Sequence, residues 1–342
     1  MKERLKRILP RVGYVAFFFF ALVLSLSWTF PYDKVKERIV ASFNVQQKNT
    51  QAQQELQIDE LTGYFVTGVK AKGVRILSAP SEAGKPPVEI RIDEARARLQ
   101  LLPLLIFHKN VKFKLDVLGG TVDGEFGDHG SERVIDLEFE DVEVGKLGPI
   151  QQALGIPLEG HLFGTVHFEL PQGKASKGNG KVALELRDLA LGDGKAKLAL
   201  GPGFGGIPLQ RLAVGTLTIE GEAKDGTLKL SKMKASGKDM DIDGDGRIQM
   251  KELANESLVD VTLKLKVADA YKNKNDMTKG LFAAVEFSPD AKAAKMADGF
   301  YGLRLLGPLG RLKPAPAGSG GGGGSVRSPF GASKGMLPTP TP

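Results

Sequence analysis

The sequence predicts a mainly β fold: an N-terminal transmembrane helix followed by an extended, curled antiparallel sheet with few short helices. Three observations carry this. Apolar and polar residues alternate in run after run, as in Val111, Phe113, Leu115 and Val117 against Lys112, Lys114 and Asp116, and period 2 is the signature of a strand with one buried face. The runs recur every ten or so residues without helices between most of them, which excludes a doubly wound parallel fold. Before the first run stands Val12 to Phe30, nineteen residues without a charge, just long enough to cross a bilayer core of about 30 Å.

Taken in order, residues 1–11 form a basic tail with Lys2, Arg4, Lys6, Arg7 and Arg11. Excess Lys and Arg stay cytoplasmic, so the chain starts inside, crosses once over 12–30 and places the rest on the outer side. Trp28 and Tyr32 fall at the far end, where amphipathic aromatics favour the interface. A cleaved leader competes with this reading, because Ser25-Leu26-Ser27 offers small residues at the required spacing. The apolar run continues past that point through Trp28 and Phe30, which favours an uncleaved anchor.

Residues 31–54 are a polar stalk in which Val35, Ile39, Val40 and Phe43 recur at helical spacing, so a juxtamembrane helix extends to about Phe43. The β domain spans 55–310. Leu61 to Val66 and Val69 to Leu77 form two short strands about a glycine turn, and the Pro- and Gly-rich loop 78–87 follows. Val88, Ile90 and Ile92 alternate with Glu89, Arg91 and Asp93. The segment 99–110 (LQLLPLLIFHKN) is strongly apolar, and Pro103 at its middle breaks both helix and central strand. It is a broken turn against the core or the membrane surface. After the strand from Val111 come Thr121 to Phe126 and Val134 to Phe139. Lys146 to Leu158 spaces Ile150, Leu154 and Pro157 as one short helix. Gly160–Leu170, Lys181–Arg187, Gln210–Gly221, Thr227–Leu230 and Leu258–Val267 are further strands. Residues 269–299 are helix-permissive, with 291–297 (AKAAKMA) the best helical turn, and Tyr301 to Leu309 is a closing strand. Residues 311–342 form a Gly- and Pro-rich tail that cannot bury enough apolar surface to order itself.

Composition narrows function. The formal net charge is +7, but residues 1–11 and 311–342 carry +4 each, leaving −1 for 12–310. Basic charge confined to the ends is a topology signal and a tail, so nucleic acid is not an expected partner. The chain has no cysteine, which removes thiol chemistry and cysteine metal sites. There is no P-loop and no dinucleotide fingerprint followed by a helix, and Gly201–Gly206 and Gly320–Gly324 lack the Lys and Ser/Thr of a phosphate cradle. His161 and His167 could share a strand face, but six residues separate them by roughly 20 Å, too far for one zinc. His108 and His129 are ordinary surface or turn residues.

Asp241 to Glu252 (DIDGDGRIQMKE) matches the twelve-residue calcium loop of an EF-hand as a string, with oxygens from Asp241, Asp243, Asp245, Arg247, Gln249 and Glu252 about Gly246. The flanking segments are not helices: 226–239 is strand-like and glycine-broken, and Glu252 to Ser257 is too short. A hairpin whose Asp-Gly pairs make turns is the expected structure. No catalytic, cofactor-binding or metal residue is assigned, and no enzyme is expected.

Three passages together carry a family resemblance. Ile92 to Phe126 (IDEARARLQLLPLLIFHKNVKFKLDVLGGTVDGEF) orders an R-x-R-L strand, an apolar LLPLL turn and GG-T-x-D-G; Leu147 to Gly164 runs into I-P-L-x-G; Leu212 to Met250 is closed by Asp-Gly and Gly-x-Gly turns. These resemble AsmA-like exported β domains, and with the single anchor and this length the chain resembles the type II secretion system protein N (GspN) family over roughly 10–310. The resemblance implies an accessory component anchored in the bacterial inner membrane. It would work through contacts with other secretion-system inner-membrane components, and the family supplies no catalytic residues. The alternative is an AsmA-like lipid-binding or lipid-transport module, with membrane lipid as partner and no small-molecule substrate.

Overall fold

A computed structural model of the chain describes residues 14, 17, 18, 21, 25, 29–48, 54–65, 67–78, 88–100, 109–147, 156–198 and 207–317. Two compact units, Met1–Gly127 and Asp128–Pro342, divide the β domain that the sequence predicts over 55–310. Both are built from antiparallel strands, and in neither do the outermost strands pair with each other, so the sheet is open. Much of the expected span 12–30 and all of the tail 1–11 lie outside the described residues. Of the residues described in the span, 14, 17, 18, 21, 25 and 29 are helical and Phe30 is not, and Tyr14, Phe17 and Phe18 are exposed. No helix among the described residues is long and apolar enough to cross a membrane.

The first unit begins with α1 (Tyr32–Lys48), which extends past the expected end at Phe43. Its strands follow in chain order: β1 (Gln54–Tyr64), β2 (Gly68–Ser78), β3 (Val88–Leu99), β4 (Lys109–Val117) and β5 (Gly120–Asp128). Alternation sets the buried side on each half of β1 and β2, and the irregularity where their register passes over Asp59 and Gly73 switches it, so that Leu56 and Leu61 face one core. Leu56, Leu61, Ala71 and Val74 form the core, and Val35 and Phe43 of α1 pack onto it. The loop 79–87 and most of the expected broken turn at 99–110 lie outside the described residues; Leu99 closes β3 and Lys109 opens β4.

The second unit holds β6 (Glu132–Glu143), β7 (Leu158–Pro171) and β8 (Asn179–Leu191), then the two-stranded pair β9 (Lys197–Leu198) and β10 (Ile207–Pro208). It continues with β11 (Leu212–Lys224), β12 (Thr227–Ser236), β13 (Met240–Gln249) and β14 (Leu258–Val267). Three short helices follow, α2 (Asp269–Lys272), α3 (Asp276–Phe287) and α4 (Pro289–Ala294), and then β15 (Tyr301–Pro308) and β16 (Lys313–Pro316). The main sheet runs β6-β7-β8-β11-β12-β13-β14-β15-β16.

Three expectations are corrected. Asp241 to Gln249 is not a turn but the interior of β13, paired with β12 and β14 along its length. The tail expected over 311–342 does not hold at Lys313–Pro316, which pairs with β15, and 318–342 lie outside the described residues; the prolines are tolerated on an edge strand, where the missing amide would face outward. The main helix is α3 rather than 291–297. Asn275 caps it by accepting from Thr278 N at 2.9 Å, while Thr278 Oγ1 accepts from Asn275 N at 3.1 Å, a reciprocal box that satisfies two end amides. The expected helix at 146–158 falls largely on 148–155, outside the described residues; Val144–Lys146 is a single 3-10 turn.

Candidate functional site

Register turns simple alternation in the second unit into two surfaces of opposite character. In-register neighbours share a face. One row across the sheet is Leu137, Val166, Val182, Gly221, Leu230, Gly246, Val261, Leu305 and Pro314. The next is Phe139, Gly164, Leu184, Ile219, Met233, Gly244, Leu263, Leu303 and Pro316. Neither row contains a charge. On the opposite face a row reads Asp136, His167, Lys181, Glu222, Lys229, Arg247, Asp260, Leu306 and Lys313. Apolar and charged residues are thus segregated across nine strands.

The apolar face is covered unevenly. At one end Tyr271 of α2, 1% exposed, packs with Val214, Val144, Leu158, Leu189 and Leu212. Leu281 of α3 packs there with Ile156 and Leu209. Further along the sheet, Val166, Phe168, Leu184, Ile219, Met233, Leu263 and Leu305 are only half-buried around their core of Val182, Leu228, Leu230, Val259 and Val261. Where β14, β15 and β16 meet α4 the face opens into a cavity of about 340 Å³. Leu265, Val285, Ala291, Ala294, Leu303, Pro314 and Pro316 give it apolar walls, and Asp290 and Tyr301 bring polar groups. That size and lining suit an apolar ligand held by few polar contacts.

The charged face is held by ion pairs between neighbouring strands. Asp260, buried at the centre of β14, accepts two bonds from the Arg304 guanidinium at 2.8 and 3.0 Å, with Arg247 at 3.6 Å. His167 Nδ1 lies 2.5 Å from Asp136 Oδ1 and its Nε2 lies 3.5 Å from Glu169. The Asp136 hydrogen bond, reinforced by the charges of both carboxylates, holds His167 above its ordinary range against partial burial. Its stabilising contribution is therefore fully present below the unfolded imidazole value and fades as pH rises through the raised folded one. An NMR titration should place the His167 midpoint above 6.5, the unperturbed value. Asp136→Asn should lower that midpoint; an unchanged midpoint would refute the assignment. His161 pairs with Asp141 at 2.8 Å, separately from His167. His108 lies outside the described residues.

The acidic string 241–252 is not a cage. Asp241, Asp243 and Asp245 project from one strand at intervals of about 7 Å, whereas two oxygens on one calcium lie within about 5 Å of each other. Gly244 and Gly246 are there for packing: a Cβ on Gly246 would come 2.5 Å from the Asp260 carbonyl oxygen. Glu252 points elsewhere, accepting from Ser176 Oγ at 2.9 Å and from Ala175 N at 3.2 Å. The Ser176 bond and then the Ala175 amide hold its carboxyl below the ordinary range. Among the described residues no group of three or more His, Asp or Glu could hold a metal. Millimolar calcium should accordingly leave the melting midpoint unchanged, whereas a micromolar site would raise it measurably. The glycine run 201–206 lies outside the described residues.

The apolar face was visible in sequence strand by strand. What sequence reasoning missed is the continuity of its rows and the α4 cavity, because Gly244 and Gly246 interrupt the alternation of Met240, Ile242 and Ile248 in β13 and β16 carries no large apolar residue. No protein-family model, curated protein or solved structure matches the chain.

Proposed function

We propose that the chain is a non-enzymatic, membrane-tethered module that holds the acyl chain of a membrane lipid along the apolar face of β6–β16. One observation carries the reading: two charge-free rows cross nine strands and end at the apolar cavity beneath α4. Half-buried side chains over so wide an area lose solvent contact when an apolar chain lies on them, which favours binding by roughly 25 cal/mol per Å² covered. The finer architecture, a curled AsmA-like sheet, belongs to this proposal, as does the topology with residues 1–11 cytoplasmic, 12–30 in the inner membrane and the remainder periplasmic. Asp290 disfavours a second carboxylate at the cavity, so an esterified chain suits it better than a free fatty acid.

In-cell photocrosslinking tests the reading. Leu303→p-benzoylphenylalanine in the full chain should give lipid adducts by mass spectrometry. Lys232→p-benzoylphenylalanine, on the charged face, should give none. Absence of lipid at 303 refutes the proposal.

A second reading follows from the resemblance of Ile92–Phe126 and Leu147–Gly164 to the type II secretion family: an accessory component contacting other inner-membrane proteins through the charged face. Alternating charges such as Lys181, Glu222 and Lys229 lie across that face and suit a specific protein partner. Protein adducts at 232, with loss of secretion on deletion of the chain, would favour it.

A further inference from the structure

In the first unit the contacts of α1 set which end of the sheet receives the incoming chain. Gly63 lies against the hydroxyl end of the Tyr32 side chain, which would have to shift to admit a Cβ. Lys36 Nζ donates to the Asp59 carbonyl at 3.1 Å, and Asn44 Oδ1 accepts from Leu56 N at 2.8 Å. Positions 32, 36 and 44 thus meet 63, 59 and 56 in reverse order, and the start of α1 stands at the turn between β1 and β2.

That turn is aromatic. Phe30 and Tyr32 lie with ring centroids 4.8 Å apart, and Tyr64 and Phe65 make an edge-to-face pair, also at 4.8 Å. Phe65 is 74% exposed and has φ +51°. A bulky aromatic in the left-handed region is uncommon, and here it holds most of its ring in solvent at the tip of the turn. Thr67 bonds Leu99 twice, through Oγ1 to the Leu99 carbonyl at 2.7 Å and through its own carbonyl to Leu99 N at 3.3 Å. Gln100 N donates to the Asn110 carbonyl at 2.8 Å. These bonds bring the exposed Arg98 and Lys109 to the same end. Two carboxylates stand there: Glu125, which pairs with Lys112 at 3.1 Å, and Asp128 at the end of β5.

We infer that this end of the first unit is a membrane-contact surface, with Phe65 resting in the interfacial layer of the bilayer that holds the tether. The inference rests on the tether proposed above. The uncharged run ends at Phe30, and the Tyr32 ring already touches the sheet, so no linker separates the turn from the exit point. Aromatic rings favour the interface, and Arg98 and Lys109 complement anionic headgroups.

The chain has no cysteine, so single labels are clean. Full-length protein with Phe18→Cys, Phe65→Cys or Arg91→Cys carries an environment-sensitive fluorophore in vesicles of phosphatidylethanolamine and phosphatidylglycerol containing a nitroxide lipid. Arg91 lies toward the opposite end of β3, about 26 Å from Leu99. The label at 65 should be quenched at least about twofold more than that at 91, as for a group a few ångströms inside the headgroup layer. Quenching at 18 with position 65 no more quenched than 91 overturns the inference alone. No quenching at 18 overturns the tether and the inference with it. Phe65→Asn, which keeps a left-handed residue, should reduce quenching of a label at Lys109→Cys; unchanged quenching would show that the aromatic makes no contact.

Discussion

Tyr271→Ala is expected to destabilise the second unit by about 4 kcal/mol, the middle of the range for deleting a buried aromatic ring. The ring is 1% exposed and joins α2 to the sheet. It packs against Val214, Leu212, Leu189 and Met240 in the largest core and meets Phe282 of α3 edge to face, with centroids 6.0 Å apart. Its hydroxyl donates to the Gln210 carbonyl at 2.5 Å, fixing the chain just before β11. Truncation leaves a cavity under three elements that cannot collapse together. Calorimetry should show the midpoint of this unit lowered by roughly 8–16 °C. A drop under about 3 °C would mean that α2 is not part of the cooperative core.

The same side chain gives the fold an alkaline limit. Burial, with the Asp239 carboxylate adding to it, pushes the Tyr271 hydroxyl up to about 12 from 10.0. The unfolded phenol ionises near 10 and the folded one does not, so the unfolded state is increasingly favoured between those values. Stability from this group is intact below pH 10 and lost as pH rises towards 12, by up to about 2.7 kcal/mol for two pH units. Tyr271→Phe should start somewhat less stable, having lost one hydrogen bond, but should decline less steeply over that window. Parallel curves for the two proteins would show that Tyr271 does not set the limit.

How much of this was legible in the sequence depends on what kind of residue carries each strand. β4 and β14 were plain because Phe113 and Leu115, or Val261 and Leu263, alternate with charged and polar residues, and that pattern costs apolar burial if read any other way. β13 was hidden because Asp-Gly-Asp-Gly carries turn residues. Only the pairing partners show that Gly244 and Gly246 sit where β14 approaches too closely for a side chain. β16 was hidden because Lys-Pro-Ala-Pro has linker composition, and edge pairing is a tertiary fact. α3 carried a legible start in Asn275 and Thr278, but a Thr in place of the usual Glu or Gln at the third position weakens the signal. The candidate site depends on register, which joins Leu137 to Pro314 through seven intervening strands; no single-strand pattern contains it.

Gly164→Ala and Gly280→Ala are expected to move stability in opposite directions, and the first is the larger effect. Gly164 sits within β7, opposite Phe139 on β6 and Leu184 on β8. Its φ is +133°, a region L side chains rarely adopt. A Cβ there would strike the Ala183 carbonyl oxygen and come 2.8 Å from Leu184 Cα. Both obstacles are backbone held in the ladder, so no rotamer change relieves them. Either β7 flattens and breaks its register with β8 or the strain stays, and the expected cost is about 3 kcal/mol or more. Gly280 is exposed in the middle of α3, and nothing lies within 4 Å of a Cβ built on it. Alanine there removes glycine's backbone entropy penalty and should stabilise by about 0.8–1 kcal/mol. Chemical denaturation of both variants measures the contrast. Because Gly164 lies in the second charge-free row, its variant should also lose lipid crosslinking at position 303 while it remains folded at low temperature. A Gly164→Ala protein as stable as the parent would mean that β7 and β8 do not approach as closely as described, and the continuity of the apolar rows would fail with it.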